Sequence, residues 1–194
     1  MNDNSIPLPL VYPGIQKASQ EISFSMPSDL QTGSLLRTLV ASKPKGQILE
    51  IGTGTGLSLS WIVEAMDENS TVISIDNNET YLSIARQHFN TDPRISIISE
   101  DGNRWITNNQ DKKFDLIFAD AWPGKYETLN DTLSILKTGG LYIIDDMLPQ
   151  PNWPEGHSEN VTRLVNYLDT RKDLVLTKMN WSTGLIIVTK RFLV

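Results

Sequence analysis

The sequence predicts an α/β fold: a doubly wound, seven-stranded, mostly parallel sheet that ends in an antiparallel hairpin. Three observations predict it. Short apolar runs alternate with amphipathic stretches from residue 47 to residue 170, the pattern of a parallel sheet covered on both faces. The last two apolar runs, 174–179 and 185–189, are separated by five residues that include Trp181-Ser182-Thr183-Gly184. A connection that short makes a hairpin, so one strand runs antiparallel to its neighbour. The first apolar run leads directly into Gly52, Gly54 and Gly56, which remove Cβ atoms where a chain must turn sharply or approach a ligand.

Taken in order, residues 1–14 are rich in Pro and polar residues and read as an extended arm. The whole arm is assigned to 1–24 and a single domain to 25–194. Pro27-Ser28-Asp29 precedes Leu30, Leu35, Leu36, Leu39 and Val40, spaced as one helix face with a capping start, and Lys43-Pro44-Lys45-Gly46 ends that helix. A strand over 47–51 and the glycine turn lead into a helix to about residue 66. The next strand, 71–75, ends at Asp76 and is followed by a helix over 79–89. Strand 95–99 is followed by Glu100-Asp101-Gly102 and a short helix around Trp105. Strand 114–119 ends at Asp120. After Trp122-Pro123-Gly124 comes a helix over about 126–136, broken by Thr138-Gly139-Gly140. Strand 141–144 ends at Asp145-Asp146, and a helix near 160–170 precedes the hairpin.

At 194 residues, with 39% hydrophobic and 21% charged residues, the chain suits one globular domain with a single core. No apolar run has the length of a membrane span, and the N-terminus lacks the basic-then-apolar order of a secretory signal. The absence of Cys excludes disulfides, thiolate catalysis and thiolate metal sites, and fits a cytoplasmic location. A net charge of −6 argues against a broad nucleic-acid surface, though not against a local basic patch. An N-terminal arm is also able to exchange between the two subunits of a homodimer.

The turn restricts the ligand. A phosphate-binding P-loop needs Lys-Ser/Thr after its last glycine, and none is here. The dinucleotide fingerprint places its third glycine three residues after the second, where this chain has Leu57. Instead Glu50 ends the strand and Gly52-Thr53-Gly54-Thr55-Gly56 follows. This E-x-G-x-G-x-G pattern resembles motif I of the class I S-adenosylmethionine-dependent methyltransferases, a Rossmann-like family closed by the same terminal hairpin. The resemblance implies that Glu50, Gly52, Thr53, Gly54, Gly56 and Ser58 surround the amino-acid part of S-adenosylmethionine. Asp76, 24 residues after Gly52, and its neighbour Asn77 then fall at the ribose, and Asp101-Gly102 at the adenine edge. A strand-end Asp is also an ordinary helix cap, and capping and binding are compatible.

Asp120, Asp145 and Asp146 end two adjacent strands. Three carboxylates at one place repel unless a proton or cation intervenes, and all-oxygen ligands suit Mg²⁺, Ca²⁺ or Mn²⁺. The plainer alternative is one cofactor contact, one cap and one solvated side chain. The segments Asp120-Ala121-Trp122-Pro123-Gly124-Lys125-Tyr126 and Gly139-Gly140-Leu141-Tyr142-Ile143-Ile144-Asp145-Asp146 resemble the metal-dependent O-methyltransferases, which include the catechol and caffeoyl-coenzyme A enzymes. Ser25-Met26-Pro27 with Gly33 resembles their N-terminal segment, and the similarity covers about residues 22–190. It implies Asp120, Asp145 and Asp146 as metal ligands, with Asp120 beside the cofactor. Two departures stand out. Asp146 replaces the family's Asn, and Pro123 falls where the family has its catalytic Lys, so Lys125 is the nearest candidate, with Asp120, for the catalytic role. His157, in a Pro-rich loop that also holds Trp153, is expected over the substrate pocket, as a helix cap or as a weaker candidate for the base. Trp122, Trp153 and Trp181 are candidates for an aromatic wall.

The expected function is methyl transfer from S-adenosylmethionine to a phenolic or catechol-like hydroxyl, assisted by a divalent metal. A transfer-RNA hydroxyuridine methyltransferase, a nicotinamide-dependent oxidoreductase and a catalytically silent cofactor-binding protein are the alternatives.

Overall fold

β1 (Gln47–Ile51) carries Ile48, Leu49 and Ile51 with essentially no exposed surface, because it lies mid-sheet with helices on both faces. The computed structural model describes residues 5–150 and 153–192. β1 pairs in parallel with β2 (Thr71–Asp76) on one side and β4 (Phe114–Ala119) on the other. β3 (Ile95–Ser99) lies beyond β2, and β5 (Leu136–Ile144) beyond β4, again in parallel. β7 (Leu185–Lys190) runs antiparallel between β5 and β6 (Leu174–Met179), giving the order β3-β2-β1-β4-β5-β7-β6. The expected architecture is therefore the observed one. Strand order reverses between β1 and β4, so the ligand crevice opens at the carboxyl ends of these strands.

One core packs α1 (Tyr12–Glu21), α2 (Leu30–Ala41), α3 (Leu57–Ala65) and α4 (Glu79–Phe89) on one face of the sheet. The second packs α5 (Gly102–Asn108), α6 (Leu129–Ile135) and α7 (His157–Thr170) on the other. Asp29 caps α2, its carboxylate accepting from the Gln31 N–H at 2.9 Å. Gly33 lets α2 and α3 close together: a Cβ there would stand 2.4 Å from Nε1 of Trp61. Its place is in helix packing, away from the crevice.

The arm is the largest difference from expectation. Residues 12–21 form α1, with Tyr12 and Ile15 buried in the first core of the same chain. Residues 5–9 have no regular structure, and residues 1–4 lie outside the described part. β5 also begins five residues before the expected strand. Its pairing steps from Phe114–Leu136 to Leu116–Leu141, so 137–140 form a bulge, with Gly139 at φ 76°. Thus Gly139-Gly140 bends the strand instead of preceding it.

Candidate active site

The carboxyl ends of β1, β2 and β4 open into a cavity of about 830 Å³. Gly52 is fixed here by geometry. Its φ is 102°, and a Cβ would stand 2.7 Å from the carbonyl oxygen of Asp120, so no other residue keeps the two strand-end loops this close. The N–H groups of Gly52 and Thr53 donate to the Ile75 carbonyl at 2.9 and 3.2 Å, tying the turn to β2. Asp76 then closes over it. Its Oδ2 accepts from the Gly54 N–H at 2.8 Å and its Oδ1 from the Asn78 N–H at 2.9 Å. Both oxygens keep a lone-pair direction for a ligand hydroxyl. Gly52, Thr53, Gly54, Ser58, Asp76, Asn77 and Gly102 all line the cavity.

Three expected cofactor residues do not line it. Glu50 is fully buried beneath the turn, where Oε1 accepts from Ser58 Oγ at 2.6 Å and Oε2 accepts from Ser74 Oγ. Ser74 and Thr53 share a further hydroxyl contact of 2.6 Å. Burial pushes the Glu50 carboxyl up to about 7, against the two serine hydrogen bonds, so this residue supports the loop from below. Gly56 starts α3 at φ 96°, and a Cβ would come within 3.1 Å of Ala85 Cβ; it serves the packing of α3 on α4. Asp101 is exposed and caps α5, accepting from the Arg104 N–H at 2.9 Å, while its neighbours Glu100 and Gly102 face the cavity. The capping interpretation holds for Asp101.

Across the cavity stand Asp120, Lys125, Asp145 and Asp146. Asp120 Oδ2 accepts from Ser28 Oγ at 2.8 Å. Asp145, 1% exposed, accepts at Oδ1 from the Asp146 N–H at 2.8 Å and from Thr183 Oγ1. Asp146 adopts φ 58°, a left-handed conformation that Asn and Asp tolerate best. Lys125 is 3% exposed, and its Nζ donates to the Asp145 carbonyl at 2.9 Å. Burial and then the charge of Asp145 raise the Asp120 carboxyl well above the usual range, with Lys125 pulling it down. Burial likewise pushes Asp145 to about 6, opposed first by the Thr183 hydroxyl. Among the described residues no three His, Cys, Asp or Glu side chains converge as ligands, so the expected set Asp120–Asp145–Asp146 is not assembled. Asp145 Oδ1 is turned to the Asp146 N–H and the Thr183 hydroxyl, and the cation held at this end is the Lys125 ammonium.

The end of the cavity away from the glycine turn is aromatic. Trp122, Trp153 and His157 line it. His157, the first residue of α7, is 6% exposed, and its Nε2 lies 3.0 Å from the Tyr126 hydroxyl. The Trp153 and His157 rings are 4.3 Å apart at 31°. Burial pushes the Tyr126 phenol up to about 12 and lowers the His157 imidazole, which is therefore neutral at pH 7. Trp181 packs against the first core instead of this wall. Pro151 and Asn152, part of the expected loop, lie outside the described residues. Sequence reasoning missed Ser28, Thr183, Glu100, Phe24 and Tyr81. The first two reach the site from 92 and 38 positions away along the chain, and no local pattern marks them.

The O-methyltransferase family profile matches residues 14–181 of the chain. A curated relative from Mycobacterium ulcerans, named as an O-methyltransferase, is 27% identical over 117 residues, covering 58% of this chain and 52% of that protein. The match thus spans about half the length of such relatives. An O-methyltransferase from Bacillus cereus, solved in complex with S-adenosylhomocysteine, superposes with a TM-score of 0.82 at 20% identity, covering 97% of this chain and 94% of its own. TomG from Streptomyces achromogenes, solved with S-adenosylmethionine and involved in tomaymycin synthesis, gives 0.81 at 19% identity, covering 97% and 92%. These superpositions bear on the fold, and the profile, matching most of the chain, on the family. The chain belongs to the O-methyltransferase family.

Proposed function

We propose that this protein transfers a methyl group from S-adenosylmethionine to a hydroxyl of a small, planar, phenol- or catechol-like acceptor. The observation that carries the proposal is a single cavity with two unlike ends: Gly52, Gly54 and Asp76 at one, and Asp120, Lys125 and two indoles at the other. The first end suits a ribose-bearing cation, because Asp76 is pre-oriented and the adjoining groups are acidic. S-adenosylmethionine supplies a methyl on a sulfonium, already a good leaving group, so no covalent enzyme intermediate is required. This chain's own residues position the acceptor and move its proton. Asp120, with its carboxyl raised by burial and Asp145, is the base that takes the hydroxyl proton. The Lys125 ammonium stabilises the oxyanion that results. Trp122 and Trp153 hold the ring, and positioning contributes the rest of the rate enhancement.

The carboxylate arrangement supports no metal step, so we assign none. The lining carboxylates also disfavour a transfer-RNA phosphate backbone in this cavity. The test is methyl transfer from S-adenosylmethionine to a panel of phenols and catechols, with Mg²⁺ and with a chelator. Product formation that is insensitive to the chelator is expected. No methylated product in either arm would overturn the proposal.

A further inference from the structure

Two buried polar atoms beside the acceptor end have no hydrogen-bond partner among the described residues: Nδ1 of His157 and Nε1 of Trp153. Native proteins leave few such atoms unmet, since each forfeits the hydrogen bond it had in water. What each atom offers can be worked out. Indole Nε1 is a donor only. Tyr126 keeps its proton, because burial and Asp146 raise its phenol to about 12, and a phenol donates more readily than it accepts. With the Tyr126 hydroxyl donating into Nε2 at 3.0 Å, the neutral imidazole carries its hydrogen on Nδ1. The two ring centroids are 4.3 Å apart with the planes tilted by 31°, and both residues belong to the cavity wall. Two residues of the wall therefore each carry a buried N–H donor that nothing in the described chain satisfies.

The charge of the cavity selects among acceptors for those donors. Asp76, Glu100, Asp120, Asp145 and Asp146 share its lining with one ammonium, Lys125. An anionic group would enter against the carboxylates; an uncharged oxygen would not. We infer that Trp153 and His157 form a recognition site for an uncharged carbonyl oxygen, of a ketone, ester or amide, carried by the methyl acceptor. The inference rests on the methyl-transfer reading for the identity of the ligand as acceptor. It also makes His157 a recognition residue and not the base, because Tyr126 occupies its Nε2 lone pair.

The test titrates the full chain with 3′,4′-dihydroxyacetophenone, with 4-ethylcatechol, in which the carbonyl becomes a methylene, and with 3,4-dihydroxybenzoate. Affinities are read by calorimetry and by the indole ¹H–¹⁵N signals, with Trp153→Phe identifying its own among the five tryptophans. The ketone is expected to bind about tenfold tighter than the ethyl compound and to shift the Trp153 signal, with the acid no tighter than the ethyl compound. Trp153→Phe, which keeps an aromatic ring, and His157→Phe each reduce that preference to about twofold. Equal affinity for ketone and ethyl compound, tighter binding of the acid, an unmoved Trp153 signal, or no binding of any of the three would overturn the inference. A parallel S-adenosylhomocysteine titration separates the two failures. If the nucleoside does not bind while the ketone preference stands, the methyl-transfer reading alone has failed.

Discussion

Replacing Glu50 by Gln tests how the glycine turn is supported, and its effect can be worked from the structure. Glu50 has no exposed surface, and its carboxyl titrates near 7 in the folded chain against 4.5 in the open one. Between those values the folded state holds a proton that the unfolded state has released, so stability falls as pH rises across the window. A displacement of that size corresponds to about 3 kcal/mol, of which roughly a quarter is already lost by about pH 5. Asp145, raised to about 6, and Asp120 contribute with the same sign, so the wild-type slope contains more than Glu50. Gln keeps the shape and can still accept from Ser58, but cannot ionise. Guanidinium unfolding of both proteins at about pH 5 and about pH 8 isolates the Glu50 share. The wild type should lose about 2–3 kcal/mol more than Glu50→Gln between these two conditions. Equal losses in the two proteins would refute the argument that burial, and not hydrogen bonding, dominates this carboxyl.

Other expectations follow from the same geometry. Lys125→Met should lower kcat about 10²–10³-fold with little change in cofactor affinity, and move the rising limb of the pH profile upward, because the ammonium holds Asp120 and Asp145 down. Steady-state kinetics across pH reads both effects. Gly56→Ala should cost about 1–3 kcal/mol by denaturant titration, from its positive φ and the 3.1 Å approach to Ala85, while leaving S-adenosylhomocysteine affinity intact. Gly52→Ala, with a Cβ forced to 2.7 Å from the Asp120 carbonyl, should lose that affinity as well. Terbium luminescence should find no saturable cation site; a saturable signal abolished by Asp145→Asn would contradict the account of the carboxylates.

Much of the fold was legible because its signals are local. The helix over 79–89 and the strands over 95–99, 114–119 and 174–179 carry their own periodicity and fall where the pattern puts them. α1 was hidden because its apolar residues are few and Pro13-Gly14 reads as a break, although Pro is well placed at the start of a helix. The bulge in β5 was hidden because Gly139-Gly140 looks the same as a turn. At the site, residue types outran residue roles. Glu50 and Gly56 belong to the glycine-turn motif but lie one layer below the cavity, against Ser58 and Ser74 and against Ala85. Asp120, Asp145 and Asp146 invited a metal by proximity in sequence and strand order, yet Ser28, Thr183 and Lys125 orient them otherwise. Ser28 and Thr183 come from 92 and 38 positions away along the chain, so only the folded structure reveals them.

The central claim is that the turn after β1, closed by Asp76, binds S-adenosylmethionine or its product. Calorimetric titration of the wild type and of Asp76→Ala with S-adenosylhomocysteine tests it most directly. One-to-one binding by the wild type, weakened at least about tenfold in the variant, is the predicted result. No binding by the wild type, or equal affinity in the two proteins, would contradict it.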